Sequence, residues 1–162
     1  ALRHLDAVLW LVGTGPLQPE LEAIAKSCGV AQKVRFWGDV PDERLPLFFH
    51  ACDVFVFPSI TPNEAFGLVQ VEAMACGKPV VACQLKSGVP YVCAHRSTGL
   101  TVPPGDSGAL ADAIRELLSN RDLSTALGQA GRRRAHEEFS EPVMVQRYWK
   151  LFESLLPPDT TG

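Results

Sequence analysis

The period of apolar and polar positions changes several times along this chain, and each change marks an element. Residues 7–12 (Ala7-Val8-Leu9-Trp10-Leu11-Val12) are apolar without a break and of strand length. Such a run predicts a strand buried on both faces, as in parallel sheets covered by helices. Residues 34–37 (Val34-Arg35-Phe36-Trp37) alternate and predict a short strand nearer an edge. Residues 53–57, 80–83 and 99–102 supply three more strand candidates. Between them, Leu17, Leu21, Ile24, Ala25 and Cys28 recur at helical spacing, and so do Leu110, Ala113, Ile114, Leu117 and Leu118. Leu45, Leu47, Phe48, Phe49 and Ala51 give a shorter helix its apolar face.

Punctuation supports this division. Pro16 suits a first helical turn and Gly29 a helix end. Asp42 is placed to cap the short helix, and Asp106 or Ser107 the helix that follows. A further helix spans about residues 123–139. Ser140 then caps a last one, with Pro142 in its first turn. Val145, Tyr148, Trp149, Phe152, Leu155 and Leu156 form that helix's stripe and predict packing. Ser87-Gly88-Val89-Pro90 reads as a turn, and Tyr91-Val92-Cys93 as a short strand. Strands alternate with helices throughout. The prediction is therefore one α/β domain over residues 1–156, with a mostly parallel sheet, helices on both faces and a helical C-terminal segment. Residues 157–162 read as a disordered tail.

Composition narrows the function classes. The chain has 162 residues, 46% hydrophobic and 20% charged, enough for one real core. A net charge of −3 gives no bulk attraction to nucleic acid or an anionic membrane. No apolar run approaches the roughly 18 residues of a membrane span. The five cysteines are scattered, with no Cys-x-x-Cys pair, and point to a reducing compartment without zinc or disulfides. Arg132-Arg133-Arg134 is followed at once by Glu137 and Glu138 and reads as a solvated face.

The richest stretch runs from Pro58 to Cys83. A strand ends at Pro58, and a polar loop turns through Ala65-Phe66-Gly67-Leu68 into a nearly all-apolar helix. Gly77-Lys78-Pro79 stops that helix before the strand at residues 80–83. Such a unit offers free helix N-terminal amides at one end of a parallel sheet, where ligands bind. Glu64 stands before the helix and Glu72 inside it. A helix apolar on all sides is a buried helix, so Glu72 needs partners. These are backbone N–H groups or a basic side chain, or else the vicinal hydroxyls of a ligand. Glu64, on the residues alone, is a solvated loop carboxylate. Gly13-Thr14-Gly15-Pro16 invites a dinucleotide-binding reading, but Gln18 occupies the third glycine position.

Glu64-Ala65-Phe66-Gly67-Leu68, Glu72-Ala73-Met74-Ala75 and Gly77-Lys78-Pro79-Val80-Val81-Ala82 together resemble the signature of retaining GT-B glycosyltransferases, family four (glycosyl transferases group 1). The resemblance runs from Gly13 to the terminal helix. It implies the C-terminal, Rossmann-like donor-binding half of a GT-B fold. By carry-over, Glu64 touches the donor sugar and is the candidate catalytic residue. Phe66, Gly67 and Leu68 offer amides to the diphosphate, and Glu72 holds the ribose hydroxyls. Gly13 and Gly15 are candidate backbone contacts, Asp39 and Val40 lie beside the nucleobase, and Ser87 and Gly88 approach the sugar or phosphate. The implied donor is a GDP- or UDP-linked sugar, with no cofactor, and no Asp-x-Asp pair is present for a metal.

The implied partners are an N-terminal acceptor-binding domain and an acceptor glycan or glycolipid. The implied setting is polysaccharide or lipopolysaccharide assembly in the cytoplasm, peripheral at the inner membrane in a full-length enzyme. The family's opening strand of this half, with its Arg and Lys, is absent from the chain, so the chain alone is expected to be inactive. A nucleotide-sugar epimerase of the same fold and a non-catalytic nucleotide-binding domain are the alternatives.

Overall fold

The computed structural model describes residues 1–61 and 63–156, so the predicted tail at 157–162 lies outside the described residues. Five strands alternate with helices in the order β1 (Leu9–Val12), α1 (Gln18–Ser27), β2 (Val34–Gly38), α2 (Leu45–Ala51), β3 (Phe55–Phe57), α3 (Leu68–Ala75), β4 (Val80–Cys83), α4 (Val89–Val92), β5 (Gly99–Val102), α5 (Ser107–Ser119), α6 (Arg121–Glu138) and α7 (Glu141–Leu155). All pairings between these strands are parallel, with β1 on β2, β3 on β4 and β4 on β5. The strands form two sheets, one of two strands and one of three.

The core sits on the three-stranded sheet. In β4, Val80, Val81 and Ala82 are fully buried and Cys83 nearly so. Successive strand residues point to opposite faces, so both faces of β4 are covered. α3 and α6 pack closely. A side chain at Gly128 would strike the carbonyl of Gly77, and one at Gly131 would press Met74. Asp106 caps α5 by accepting from the N–H groups of Gly108 (3.0 Å) and Ala109 (2.9 Å). Asn120 caps α6 through Leu123 N–H.

The two-stranded sheet is different. β1 alternates half-buried and exposed positions, so it is not covered on both faces as its apolar run predicts. α2 bridges the two sheets. Its Phe48 ring meets Trp10 and Trp37, while the neighbouring Phe49 meets Phe55 of β3.

Other expectations are corrected locally. Pro19, not Pro16, occupies the first turn of α1. Leu17, Leu21 and Ile24 are exposed and only Ala25 of that face is buried. Asp42 lies in a 3-10 turn and makes no cap. Residues 89–92 form a helical turn rather than the strand predicted at Tyr91-Val92-Cys93, because Pro90 and the Ser87 hydroxyl, which accepts from Val89 N–H at 3.4 Å, start a helix there. Arg134 turns inward, with its guanidinium 4.9 Å from the Tyr91 ring centre and 3.3 Å from a Glu138 oxygen, so the arginine run is not wholly solvated. Every residue of the α7 stripe is exposed, so that stripe has no packing partner among the described residues.

Candidate functional site

Parallel strands deliver their following loops to the carboxyl edge of each sheet. In the three-stranded sheet the loop after β3 (described at residues 58–61 and 63–67) meets the loop after β4 (residues 84–88). Gly88 N–H donates to Ala65 O at 2.7 Å. A side chain at Gly88 would come within 2.9 Å of the Phe66 ring, so only glycine lets the two loops close.

The turn into α3 has a defined shape. Gly67 adopts left-handed backbone (φ 74, ψ 66). A Cβ there would lie 2.7 Å from Gln70 Nε2 and 2.8 Å from the Phe57 ring. Conformation and space both require glycine. The Phe66 ring packs edge-on against Phe139, which also meets Tyr91. Among the described residues, the N–H groups of Phe66, Gly67 and Leu68 donate to no partner. Consecutive free amides at a helix N-terminus form a concavity suited to an anion.

Two carboxylates flank these amides. Glu64 is half-buried in the loop and Glu72 is exposed on the second turn of α3. Neither side chain makes a hydrogen bond or ion pair with another described residue. This corrects the expectation of a helix buried all round. Leu68 is 68% exposed, and the one polar side chain carried inside is Gln70. Seven apolar neighbours do not bury Glu72 because no described element covers the outer side of α3.

Gly13 and Gly15 follow β1, and Asp39 and Val40 follow β2. The structure brings these two loops together. Gly13, at φ 116, donates its N–H to Gly38 O at 2.7 Å. Asp39 is exposed, Val40 half-buried, and no side-chain bond engages Asp39. All four lie on the two-stranded sheet, apart from the Glu64 to Glu72 unit. Gln70 and Phe139 also hold the turn, and neither is among the residues expected there. The signal at Gln70 was present: it is an amide side chain inside an apolar run, four residues after Phe66.

A parallel α/β domain with this turn at its sheet edge has the architecture of a GT-B glycosyltransferase domain. The chain belongs to the family described as glycosyl transferases group 1, whose profile matches residues 1–134. It is similar to O-antigen chain mannosyltransferase C of Escherichia coli, with 34% identity over 146 residues, 90% of this chain and 39% of that protein. It is 40% identical over 136 residues to a GDP-mannose-dependent alpha-(1-6)-phosphatidylinositol monomannoside mannosyltransferase of Mycobacterium tuberculosis, covering 80% of this chain and 35% of that one. Among solved structures, Anabaena HepE in complex with UDP superposes with a TM-score of 0.87 at 29% identity, covering 94% of this chain and 43% of that chain. The chain thus spans about two-fifths of the length of these relatives.

Proposed function

We propose that residues 1–156 are the donor-binding domain of a retaining, metal-independent glycosyltransferase. That enzyme moves a hexose from a GDP- or UDP-linked donor to an acceptor hydroxyl in polysaccharide or lipopolysaccharide assembly. The observation that carries this reading is the row of amides at Phe66, Gly67 and Leu68, unpaired among the described residues and set between two carboxylates that have no partner there. The departing diphosphate develops negative charge, and fixed N–H groups aimed at it stabilise that charge without reorganisation. Glu72 has both oxygens free to accept from ribose hydroxyls. Glu64 orients the sugar and steadies positive charge at the anomeric carbon; it is not assigned as a nucleophile, since no second carboxylate is paired with it for displacement. Asp39 and Val40 lie on the base side of the site and contact the base through their backbone, and Gly13 and Gly15 add backbone contacts to the donor.

The acceptor site, and with it acceptor choice, belongs to a second domain outside this chain. The exposed apolar face of α7 offers that domain a surface to pack against. The names of the bacterial relatives, an O-antigen and a phosphatidylinositol mannosyltransferase, favour a cell-envelope glycan or glycolipid as acceptor.

The test is a titration of isotope-labelled protein with GDP and then UDP, followed by backbone NMR. Shifts are expected at Phe66, Gly67, Leu68 and Glu72, and Glu72→Ala should weaken binding at least tenfold with the fold unchanged. Absence of shifts with both nucleotides at millimolar concentration would sink the donor-domain reading.

A further inference from the structure

Gln70 is fully buried, one of two buried polar residues among those described. Its Nε2 donates to Phe66 O at 3.0 Å, and its Oε1 has no partner among the described residues. Burial of an amide with one unpaired oxygen is unfavourable, so packing alone would prefer an apolar side chain here.

The geometry of the turn supplies a reason. A trans peptide points its C=O and N–H to opposite sides, and no cis peptide occurs among the described residues. The bond that holds a carbonyl therefore also aims the next residue's N–H. Three successive carbonyls are held in this turn. Ala65 O accepts from Gly88 N–H at 2.7 Å, Phe66 O from Gln70 Nε2, and Gly67 O from Gln70 N–H at 2.9 Å. The amides of Phe66, Gly67 and Leu68 consequently face the other way, and these are the ones left unpaired among the described residues.

Two of the three ties are made by backbone. The middle one is made by a side chain, at the peptide that precedes a glycine. Glycine enters either sense of φ readily, so the Phe66–Gly67 peptide is the one most free to flip. A flip would replace a donor with an acceptor oxygen at the centre of the row. We infer that Gln70 is a positioning residue that keeps the Gly67 N–H aimed at the donor diphosphate. This rests on the donor-binding reading above.

The test compares the protein with its Gln70→Met variant, which keeps side-chain length and removes both the donor and the orphan oxygen. Each is titrated with GDP and guanosine, and with UDP and uridine, followed by NMR. The expected result is about tenfold weaker binding of the preferred diphosphate, unchanged binding of the matching nucleoside and an unchanged unfolding midpoint. Equal diphosphate affinity in the two proteins would overturn the role of Gln70 and leave the donor site standing. An equal loss for diphosphate and nucleoside would show a merely structural residue. No binding by the unsubstituted protein would end the donor reading and this inference together. A second measurement needs no variant: a scalar coupling between Gln70 Nε2 and the Phe66 carbonyl carbon should persist when the diphosphate binds, and its absence would contradict the inference.

Discussion

The strands β1 and β4 are each four apolar residues long, Leu9-Trp10-Leu11-Val12 and Val80-Val81-Ala82-Cys83. No residue of β4 is more than 4% exposed, whereas Trp10 and Val12 are each 39% exposed. The difference lies in their neighbours. β4 has a strand on both sides and helices on both faces. β1 has one strand beside it, α2 reaching over it through Phe48, and an α1 that buries only Ala25. A two-stranded sheet is marginal by itself. The lesson is that an apolar run records the burial a strand receives in its finished surroundings, and β1 has not received it within these residues.

The largest expected effect sharpens that contrast chemically. Burial against β4 and β5 of the three-stranded sheet pushes the Cys93 thiol up to about 12 from 9.0. In the unfolded chain the thiol ionises near 9, while in the folded protein it keeps its proton. Above pH 9 the unfolded state therefore binds fewer protons, and stability falls as pH rises. The fall is about 1.4 kcal/mol per pH unit and approaches about 4 kcal/mol by pH 12. Below pH 9 this group contributes no pH dependence. Burial raises Cys52, Cys76 and Cys83 in the same direction. Urea unfolding between pH 8 and 10.5 checks the slope, and Cys93→Ala should lessen it, leaving the part due to Cys52, Cys76 and Cys83.

Met74 is fully buried between α3 and α6. Met74→Ala should cost about 3 kcal/mol, read from the urea midpoint. Trp10→Ala should cost about 1 kcal/mol, because its ring meets Trp37 and Phe48 yet remains part exposed. If the two variants lose the same stability, β1 is as firmly held as the core built on the three-stranded sheet and the contrast fails. Hydrogen exchange gives a finer view. Amides of residues 80–83 should exchange only through global unfolding, and those of residues 9–12 at least tenfold faster through local opening. The smallest effect is expected on α7, where Leu155 is 71% exposed: Leu155→Ser should change stability by less than about 0.5 kcal/mol.

Much of the three-stranded half was legible in the sequence. The loop and helix after β3, the buried β4, β5, the Asp106 cap and the reach of α6 all follow from local pattern and turn chemistry, and these are short-range properties. The errors share a different origin. Whether Leu21, Ile24 or the α7 stripe is covered depends on which surfaces come to lie against them, and spacing carries no such information. Arg134 was read as solvent-facing from its neighbours in sequence, but Tyr91 and Phe139 draw it inward from elsewhere in the fold. The same limit hid Gln70. The apolar run placed it on a helix, but the carbonyl it holds became visible only with the turn built. The positions of Glu64, Phe66, Gly67, Leu68 and Glu72 were read from their motif, and the structure adds which of their polar groups are left free.

The three tied carbonyls beside Gly67 also bear on the thermodynamics of an encounter. A loose loop would have to freeze its backbone around an incoming anion, at about 1–2 kcal/mol for each residue ordered. Here the ordering accompanies folding, so this turn is preorganised and adds little unfavourable entropy to association. Calorimetry on a nucleoside diphosphate should accordingly show a smaller entropic penalty for the protein than for any variant that releases the turn.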